Sequence, residues 1–313
     1  MLRKAIAVKN KNNEIRMHSA SGGLFSAIAE NILKKNGVIY GVGLDATFDV
    51  NFFRITDIQN LRILNGSKYV QCPTKETFLN VKQDLEAERF VVFSGTPCQV
   101  DGLRAFLGKE YPNLLMCDIV CHGCPSPYLF RDFLHNLPSD TKALSFRDKE
   151  FGWSKQKWSI TENKKKKVDS IELITYKKLF YTHLAHRPSC YHCPYTTPYR
   201  NSDITMADFW GVEHVLPEFK DELGVSIALV HTQKAERVIE QIRDKLVISE
   251  IKIEDCLQPQ LREPVKQPKE RQHFWQLYFQ KGYKNSIKTM IPISIKERVM
   301  AALPYGMRKF IRK

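Results

Sequence analysis

The chain has 313 residues, of which 43% are hydrophobic and 26% charged, and it contains 15 glycines and 15 prolines. This composition is typical of one large or two smaller globular domains, so it excludes a fibre, a coiled coil and a disordered tail. No run approaches the roughly 18 apolar residues of a membrane span, and the N-terminus lacks the apolar segment of a secretory signal. We therefore expect a cytoplasmic protein, whose net charge of +14 favours anionic partners.

Helices and strands alternate along the first half of the chain. Apolar periodicity predicts helices over about Ser21–Asn36 and Thr74–Ala87, and two more that begin at Pro97 and near Pro127. Strands are predicted over Val38–Leu44, Asn51–Thr56, Arg89–Ser94 and Leu114–Val120. Such alternation is typical of an α/β core with parallel strand pairs, in which functional loops follow the carboxyl ends of strands.

The pattern changes beyond about residue 142. Strands are predicted at 143–148, 157–161, 203–206 and 246–250, helices at 176–185 and 234–245, and a solvated hairpin tip at Lys164–Lys167. The predicted domain is a core over 1–280, with subregions of about 1–140 and 141–280. Residues 281–313 form a basic, amphipathic helical tail, which either packs on the protein or contacts an anionic membrane surface.

The eight cysteines are too few for a disulfide scaffold, and in a reducing compartment clustered cysteines indicate metal or redox chemistry. Cys98 and Cys121 follow predicted strands, and Cys190 and Cys193 form a C-x-x-C pair. On spacing alone these four thiols are consistent with a structural zinc site, a [4Fe-4S] cluster or thiol chemistry. Because Cys121 and Cys124 form a second C-x-x-C, an alternative set replaces Cys98 with Cys124.

Several motifs, in order along the chain, carry a family resemblance. They are Ser19 to Gly23, Gly66 to Gln71, Phe93 to Gln99, Cys121 to Gly123 with Pro125 to Pro127, Cys190 to Cys193, and Asp203 to Thr205 with Asp208 to Gly211. With these motifs the chain resembles the coenzyme F420 hydrogenase/dehydrogenase beta-subunit family. Members of that family hold FAD beside a [4Fe-4S] cluster, and some are encoded among bacterial surface-polysaccharide genes.

The resemblance implies an α/β fold with a mixed sheet and flanking helices that binds both cofactors. By position, it implies the cluster ligands Cys98, Cys121, Cys190 and Cys193. The implied FAD-binding residues are Ser19, Ser21, Gly22, Gly23, Ser67, Lys68, Tyr69 and Thr96. A helix N-terminus at Ser21–Gly23 can present backbone N–H groups to a pyrophosphate, although Ser21 can equally be a plain cap.

For four side chains, the sequence supports two alternative roles each. Lys68 either lies near the flavin carbonyl or is exposed, and Tyr69 either stacks on the flavin or packs in the protein. Arg147 and Arg200 either hold an acidic substrate or are solvated at the surface. No catalytic acid or base is identified.

The leading hypothesis is an FAD- and [4Fe-4S]-dependent oxidoreductase that exchanges hydride with coenzyme F420 or another small organic substrate. Longer family members begin with a ferredoxin-like segment, whereas this sequence has no cysteine before Cys72, so we expect a separate ferredoxin-like or other electron-transfer partner. The competing hypothesis is a non-enzymatic four-cysteine zinc protein with a basic nucleic-acid-binding surface.

Overall fold

The structure is a computed structural model that describes residues 2–303 and 306–307. The described chain divides into two compact units, each built from separate segments of sequence. Unit 1 consists of residues 2–68, 72–121 and 194–264, and unit 2 of residues 69–71, 122–193 and 265 onward. No described helix combines the length and apolar character needed to cross a membrane.

The described residues contain eleven strands and ten α-helices. The strands are β1 (Lys4–Asn10), β2 (Val38–Leu44), β3 (Val50–Ile55), β4 (Val91–Gly95), β5 (Leu114–Ile119), β6 (Thr141–Asp148), β7 (Lys157–Glu162), β8 (Lys165–Val168), β9 (Ile204–Asp208), β10 (Ser226–Val230) and β11 (Leu246–Ile251). The helices are α1 (Asn13–His18), α2 (Leu24–Leu33), α3 (Thr77–Glu86), α4 (Pro97–Leu107), α5 (Pro127–Leu134), α6 (Ile171–Tyr181), α7 (Val212–Val215), α8 (Gln233–Glu240), α9 (Arg271–Met290) and α10 (Ile295–Ala302).

Unit 1 is built on a mixed sheet with the strand order β11-β1-β10-β9-β5-β4-β2-β3. The strands β2, β4, β5 and β9 are parallel to one another, and β10 is antiparallel to both β9 and β1. Five strands, β1, β9, β5, β4 and β2, therefore run in one direction, and their carboxyl ends share one edge of the sheet. This arrangement confirms the predicted α/β class with a mixed sheet and flanking helices.

Both faces of this sheet are covered by apolar clusters, and successive side chains along a strand point alternately into one cluster and the other. In β4, Val92 packs with α2 and α8 on one face, whereas Val91 and Phe93 pack with α3 and α4 on the other. Buried parallel strands need apolar side chains on both faces, which is why β4 reads as a continuous apolar run. The result is a three-layer arrangement with the sheet in the middle.

Unit 2 combines a three-stranded antiparallel sheet, β6-β7-β8, with the helices α5, α6, α9 and α10. Its centre is aromatic: Phe133 stacks on Tyr176 with ring centroids 4.4 Å apart, and Trp158 is fully buried. Helix α9 is kinked at Gly282, whose φ of 73° is non-helical. Helices α9 and α10 confirm the expected C-terminal helical segment, while positions 304–305 and 308–313 lie outside the described residues.

Several local predictions differ from the structure, among them the helices predicted at 176–185 and 234–245, which lie at Ile171–Tyr181 and Gln233–Glu240. Lys164–Lys167 is not a loop tip, because the turn lies at Asn163 and Lys164 and the next three lysines belong to β8. There Lys166 pairs with Asp148 at 2.5 Å, so carboxylates across the sheet stabilise a lysine-rich strand. The helix predicted from Ser21 begins at Leu24, after Gly23 in the left-handed conformation.

Candidate functional site

Two of the predicted ligand cysteines follow neighbouring parallel strands of unit 1. Residue Gly95, which ends β4, is paired with Asp118 of β5, so the loops after both strands leave the sheet side by side. Thr96 then caps α4, with its hydroxyl 3.0 Å from Gln99 Oε1, and the exposed Cys98 lies in the first turn. Cys121 is half-buried two residues beyond β5. Strand register therefore positions both thiols at the carboxyl edge of the sheet.

The Ser19–Gly23 loop lies at the same edge. The Asn10 backbone N–H, at the end of β1, donates to the carbonyl of Gly22 at 2.7 Å, and the Gly22 N–H donates to Ser226 Oγ at 2.8 Å. The Ser21 and Ser226 hydroxyls are 2.5 Å apart, so Ser21 does not cap α2. A Cβ on Gly22 would lie 2.2 Å from the Val8 carbonyl oxygen. The close packing of this loop against β1 therefore explains why residue 22 is a glycine.

Helix α2 consequently begins without a side-chain cap. Its N-cap is Gly23, with φ of 83°, and within the described residues the helix has no side-chain cap hydrogen bond. Ser19 is bonded elsewhere, since its hydroxyl donates to the carbonyl of Ile15 at 2.7 Å. Uncapped N–H groups and the helix dipole fit an anionic group such as a pyrophosphate.

The segment Ser67–Tyr69 is the second one for which the family resemblance implies contacts to FAD. Ser67 is half-buried, and the Lys68 amine donates to the carbonyls of Leu64 and Asn65 at 2.9 and 2.8 Å. Burial lowers the pKa of Lys68 to about 7. In unit 2, the ring of Tyr69 stacks on Trp158 with centroids 5.2 Å apart and an angle of 7°. Lys68 is thus bound to its own loop, and Tyr69 packs inside an aromatic cluster.

A buried polar network lies beneath the carboxyl edge. Arg200 Nη1 is 3.2 Å from Asp118 Oδ1 and also donates to the carbonyl of Ile119 at 2.9 Å. Both side chains of this ion pair are only 2% exposed, so the expectation that Arg200 is solvated at the surface is wrong. Burial raises the pKa of Asp118 to about 6, although Arg200 opposes the shift. The guanidinium therefore stabilises the loop after β5 rather than being presented to solvent.

His231 belongs to the same network and is almost fully buried. Its Nε2 lies 2.9 Å from the hydroxyl of Thr205, whose side chain also bonds Asp118. Within the described residues, its Nδ1 is buried without a hydrogen-bond partner. Burial, and secondarily the positive charge of Arg200, lowers the pKa of His231 to about 4. The ring is therefore neutral at physiological pH.

In unit 2, two segments distant in sequence form a paired structure that we call the loop pair, residues 122–125 and 186–190. The Arg187 N–H donates to the carbonyl of Cys124 at 3.1 Å, and Pro125 forms a β-bridge with His186. Gly123 has a φ of 94°, and a Cβ there would lie 2.3 Å from the His186 ring and 3.2 Å from the Cys190 Cβ. The loop pair therefore requires glycine at this position.

His186 holds the loop pair together from inside. Its ring is fully buried, and its Nε2 donates to the carbonyl of His122 at 2.9 Å. Burial lowers the pKa of His186 to about 3 and that of His122 to about 4. Arg271 of α9 donates to the His186 carbonyl at 3.2 Å, which fixes the turn that leads to Cys190.

Four of the eight cysteines have pKa values that are shifted, in two opposite directions. Hydrogen bonds from Cys124 lower the pKa of Cys190 to about 6, which favours the thiolate that binds metals. Burial instead raises the pKa of Cys72 to about 12, that of Cys256 to about 11, and that of Cys117 well above its ordinary value. Cys190 therefore fits a ligand, whereas the three isolated cysteines fit inert buried thiols. Across the described residues, no group of three or more His, Cys, Asp or Glu side chains is arranged as a metal site.

Unit 1 also contains a cleft of about 240 Å³ bordered by α1, α2 and the 3-10 helix Ile58–Leu64. Its wall includes Ser26 from the first two turns of α2, and Glu14, which pairs with Arg62 at 2.5 Å. Open space therefore lies beside the first two turns of α2, the helix whose N-terminus has no side-chain cap.

The fold and edge loops define a mixed-sheet α/β protein whose candidate site lies beyond strand carboxyl ends. Comparison with protein families gives a match over residues 88–255 to the family described as coenzyme F420 hydrogenase/dehydrogenase, C terminus of the beta subunit. The chain belongs to this family of oxidoreductase subunits, because the match covers more than half of its length. All four predicted ligand cysteines lie inside the matched residues, and the Ser19–Gly23 and Ser67–Tyr69 segments lie outside them.

A solved structure supports the fold over nearly the whole chain. It is a chain of the xenon-derivatised F420-reducing [NiFe] hydrogenase complex from Methanosarcina barkeri, with 13% sequence identity and a TM-score of 0.54. The alignment covers 92% of this chain and 91% of that chain. A comparison with curated proteins found no match.

Two features of these sites emerge only in the structure, the buried His186 inside the loop pair and the Asp118–Arg200 ion pair. The structure also brings together Cys124 and Cys190, two members of the alternative ligand set that the second C-x-x-C predicts. Gly123 lies between two cysteines, where a glycine indicates a close backbone approach.

Proposed function

We propose that the protein is an FAD- and [4Fe-4S]-dependent oxidoreductase that exchanges hydride with a deazaflavin or another organic substrate and single electrons with a protein partner. The observation that carries this proposal is the family match, which includes Cys98, Cys121, Cys190 and Cys193. When bound, FAD would supply two-electron hydride exchange and the cluster single-electron transfer. Family membership favours this function over the non-enzymatic zinc protein.

The thiol chemistry supports this ligand set. Hydrogen bonds from Cys124 lower the pKa of Cys190 to about 6, and the Cys190 N–H donates to the carbonyl of Arg187 at 2.9 Å. Cys193 follows Cys190 at the spacing that lets one turn supply two ligands. Cys98 and Cys121 leave adjacent strand ends in unit 1. We therefore propose these four residues as ligands, none of which lies inside a described strand.

The edge of unit 1 supports FAD binding through its backbone. The uncapped first turn of α2 fits the pyrophosphate, and Ser19, Ser21 and Gly22 fix the approach to that turn through their hydrogen bonds. Thr96 caps α4 at the same edge. Contacts from Ser67, Lys68 and Tyr69 to FAD stay predictions, and Lys68 reaches FAD only if its amine leaves the carbonyls of Leu64 and Asn65.

The proposed partner is an acidic electron-transfer protein of the ferredoxin type. The net charge of +14 favours such a partner through complementary fields. The structural neighbour from Methanosarcina barkeri belongs to a hydrogenase complex, which supports an assembly with other proteins. Use of coenzyme F420 and a role in bacterial surface-polysaccharide biosynthesis are predictions of the family resemblance.

The direct test is anaerobic purification followed by an ultraviolet-visible spectrum and assays for iron, sulfide and FAD. The proposal expects flavin bands with a broad cluster shoulder that dithionite bleaches, and near-stoichiometric iron and sulfide for one four-iron cluster. The double variant C190A/C193A is expected to keep FAD and lose iron, while C256A keeps both. A colourless protein that retains zinc after FAD and cluster reconstitution would overturn the proposal in favour of the zinc protein.

We further propose peripheral contact with an anionic membrane through α10. Ile295 and Val299 lie one helical turn apart and are 81% and 56% exposed. Glu297 is neutralised by Lys178 at 2.7 Å, so the exposed cations Lys296 and Arg298 complement anionic headgroups. Flotation with anionic phospholipid vesicles should fall for the double variant I295D/V299D and not for V247D, an exposed apolar position of unit 1. Equal flotation of the unaltered protein, I295D/V299D and V247D would contradict membrane contact through α10.

A further inference from the structure

The cleft in unit 1 is lined by none of the residues proposed to hold FAD or the cluster. Its walls come from α1, α2 and the 3-10 helix Ile58–Leu64, and its volume is about 240 Å³. For scale, an apolar cavity of roughly 150 Å³ admits a benzene ring. The cleft therefore has room for one small organic group, about the size of a ring with a polar substituent.

Part of the wall is apolar. Leu61 is buried, Ile15 is half-buried, and Ile58 is 42% exposed, and all three line the cleft. An apolar group that covers these side chains leaves water and removes part of the Ile58 surface from water as well. The apolar wall therefore favours a ligand with an apolar body over a bare inorganic ion.

The wall supplied by α2 is polar. Ser26 and Glu30 are one helical turn apart on this helix, and both line the cleft. The hydroxyl of the buried Ser26 has only a long contact to the hydroxyl of Ser19, at 3.5 Å. Glu30 is half-buried, and within the part of the chain that the structure describes its carboxylate forms neither a hydrogen bond nor an ion pair. A half-buried carboxylate with free acceptor positions fits a cationic donor.

The other two charged groups of the cleft, with histidine counted as neutral, neutralise each other. Glu14 of α1 pairs with Arg62 at 2.5 Å, so the guanidinium is already occupied by a carboxylate. The cleft thus has two carboxylates against one guanidinium, although the whole chain has a net charge of +14. Since charges are screened over about 8 Å at physiological ionic strength, Glu30 determines the local preference more than the distant lysines do.

We propose that the cleft between α1, α2 and Ile58–Leu64 binds a small organic cation. Its apolar body lies on the wall of Ile15, Ile58 and Leu61, and its amine or amidine group donates to the Glu30 carboxylate. The site needs neither FAD nor a cluster, so the inference is independent of the proposed function.

The experiment is a ligand-observed NMR titration of the full chain with benzamidine, which combines an apolar ring with an amidinium group. Benzoate is the matched control ligand, because it has the same ring and the opposite charge. Benzamidine is expected to bind roughly 10-fold or more tightly than benzoate, and Glu30→Gln is expected to weaken its binding by roughly 10-fold. Glu86→Gln changes an exposed carboxylate of α3 outside the cleft and should leave the affinity unchanged.

A second variant changes the affinity in the opposite direction. Arg62→Gln releases Glu14 from its ion pair and is expected to tighten benzamidine binding, because the cleft then has a second available carboxylate. The pair is exposed, so its loss should cost the fold at most a small part of its stability.

Three results would overturn the inference: no binding of benzamidine, equal affinity for benzamidine and benzoate, or unchanged affinity in Glu30→Gln. Added FAD is expected to leave benzamidine binding unaffected. Displacement of benzamidine by FAD would assign the cleft to FAD, which would overturn the inference while supporting the proposed function. Conversely, a protein that binds benzamidine through Glu30 but retains neither FAD nor iron would contradict the proposed function alone.

Discussion

The carboxyl edge of unit 1 and the loop pair of unit 2 hold cysteines by different kinds of interaction. Cys98 and Cys121 follow β4 and β5, whose register is fixed by a parallel ladder inside a large sheet. Cys190 is held by hydrogen bonds between two irregular segments, such as the bond between His186 and His122, 64 residues apart. Regular structure therefore positions Cys98 and Cys121, whereas a few individual contacts position Cys190.

The largest expected effect on stability is at the edge. Arg200→Met leaves Asp118 buried without its partner, and breaking a buried ion pair in this way costs about 3–5 kcal/mol in the free energy of unfolding. The matched control is Arg243→Met, which breaks an exposed pair with Glu240 and should cost about 0–1 kcal/mol. Urea denaturation measures both, and equal losses would mean that the network does not support the edge.

The next effect concerns cofactor retention by the loop pair. Cys190→Ala removes a proposed ligand and should lower metal affinity by more than the roughly 10- to 100-fold that changes in residues around the ligands produce. Iron and sulfide assays after gel filtration measure the loss. Cys72→Ala removes a buried thiol outside the proposed ligand set and should retain iron. Full iron content in Cys190→Ala would exclude that residue as a ligand.

The loop pair can be broken without touching a cysteine. In Gly123→Ala, the new methyl group would lie 2.3 Å from the buried His186 ring, so overpacking adds about 1–3 kcal/mol to the backbone strain at φ of 94°. Gly66→Ala tests strain alone, because its φ is 77° and, apart from its chain neighbours, no described residue has a heavy atom within 4 Å of the new methyl group. Thermal unfolding compares the two variants. A loss no greater in Gly123→Ala would argue against tight packing in the loop pair.

The effect that is smallest at neutral pH, and that grows only as the pH falls, is a pH dependence of the edge. Since the pKa of His231 is lowered to about 4 in the folded protein, below the ordinary value of 6.5, the neutral ring stabilises the fold fully above about pH 6.5. That stability is lost as the pH falls toward 4, at up to about 1.4 kcal/mol per pH unit. His231→Gln should flatten this slope in urea denaturation, and the exposed control His192→Gln should not. An unchanged slope in His231→Gln would place the acid sensitivity elsewhere, with His122 and His186 as the next candidates.

The sequence predicted regular elements well where a single local pattern determines them. The strand at Val38–Leu44 and the helix beginning at Pro97 match the structure, because an apolar run and a proline after a capping threonine act locally. The lysine-rich β8 was missed because its stability comes from Asp148 and Glu150 on other segments. The same distinction holds for the candidate site. The positions of the strand ends were predictable, whereas the stacking of Tyr69 on Trp158 depends on packing between residues far apart in the sequence.

The strand order of unit 1 sets the earliest point at which its sheet can be complete. Among the described strands, β1 pairs only with β10 and β11, which follow it by more than 200 residues, and β10 also separates β1 from β9. During synthesis, β1 must therefore wait as an unpaired strand until residues 226–251 have left the ribosome. Such non-local pairing is slow to form and exposes strand edges in the meantime. Nascent chains that stop before β10 are thus expected to need chaperones, whereas those that extend past β11 can close the sheet.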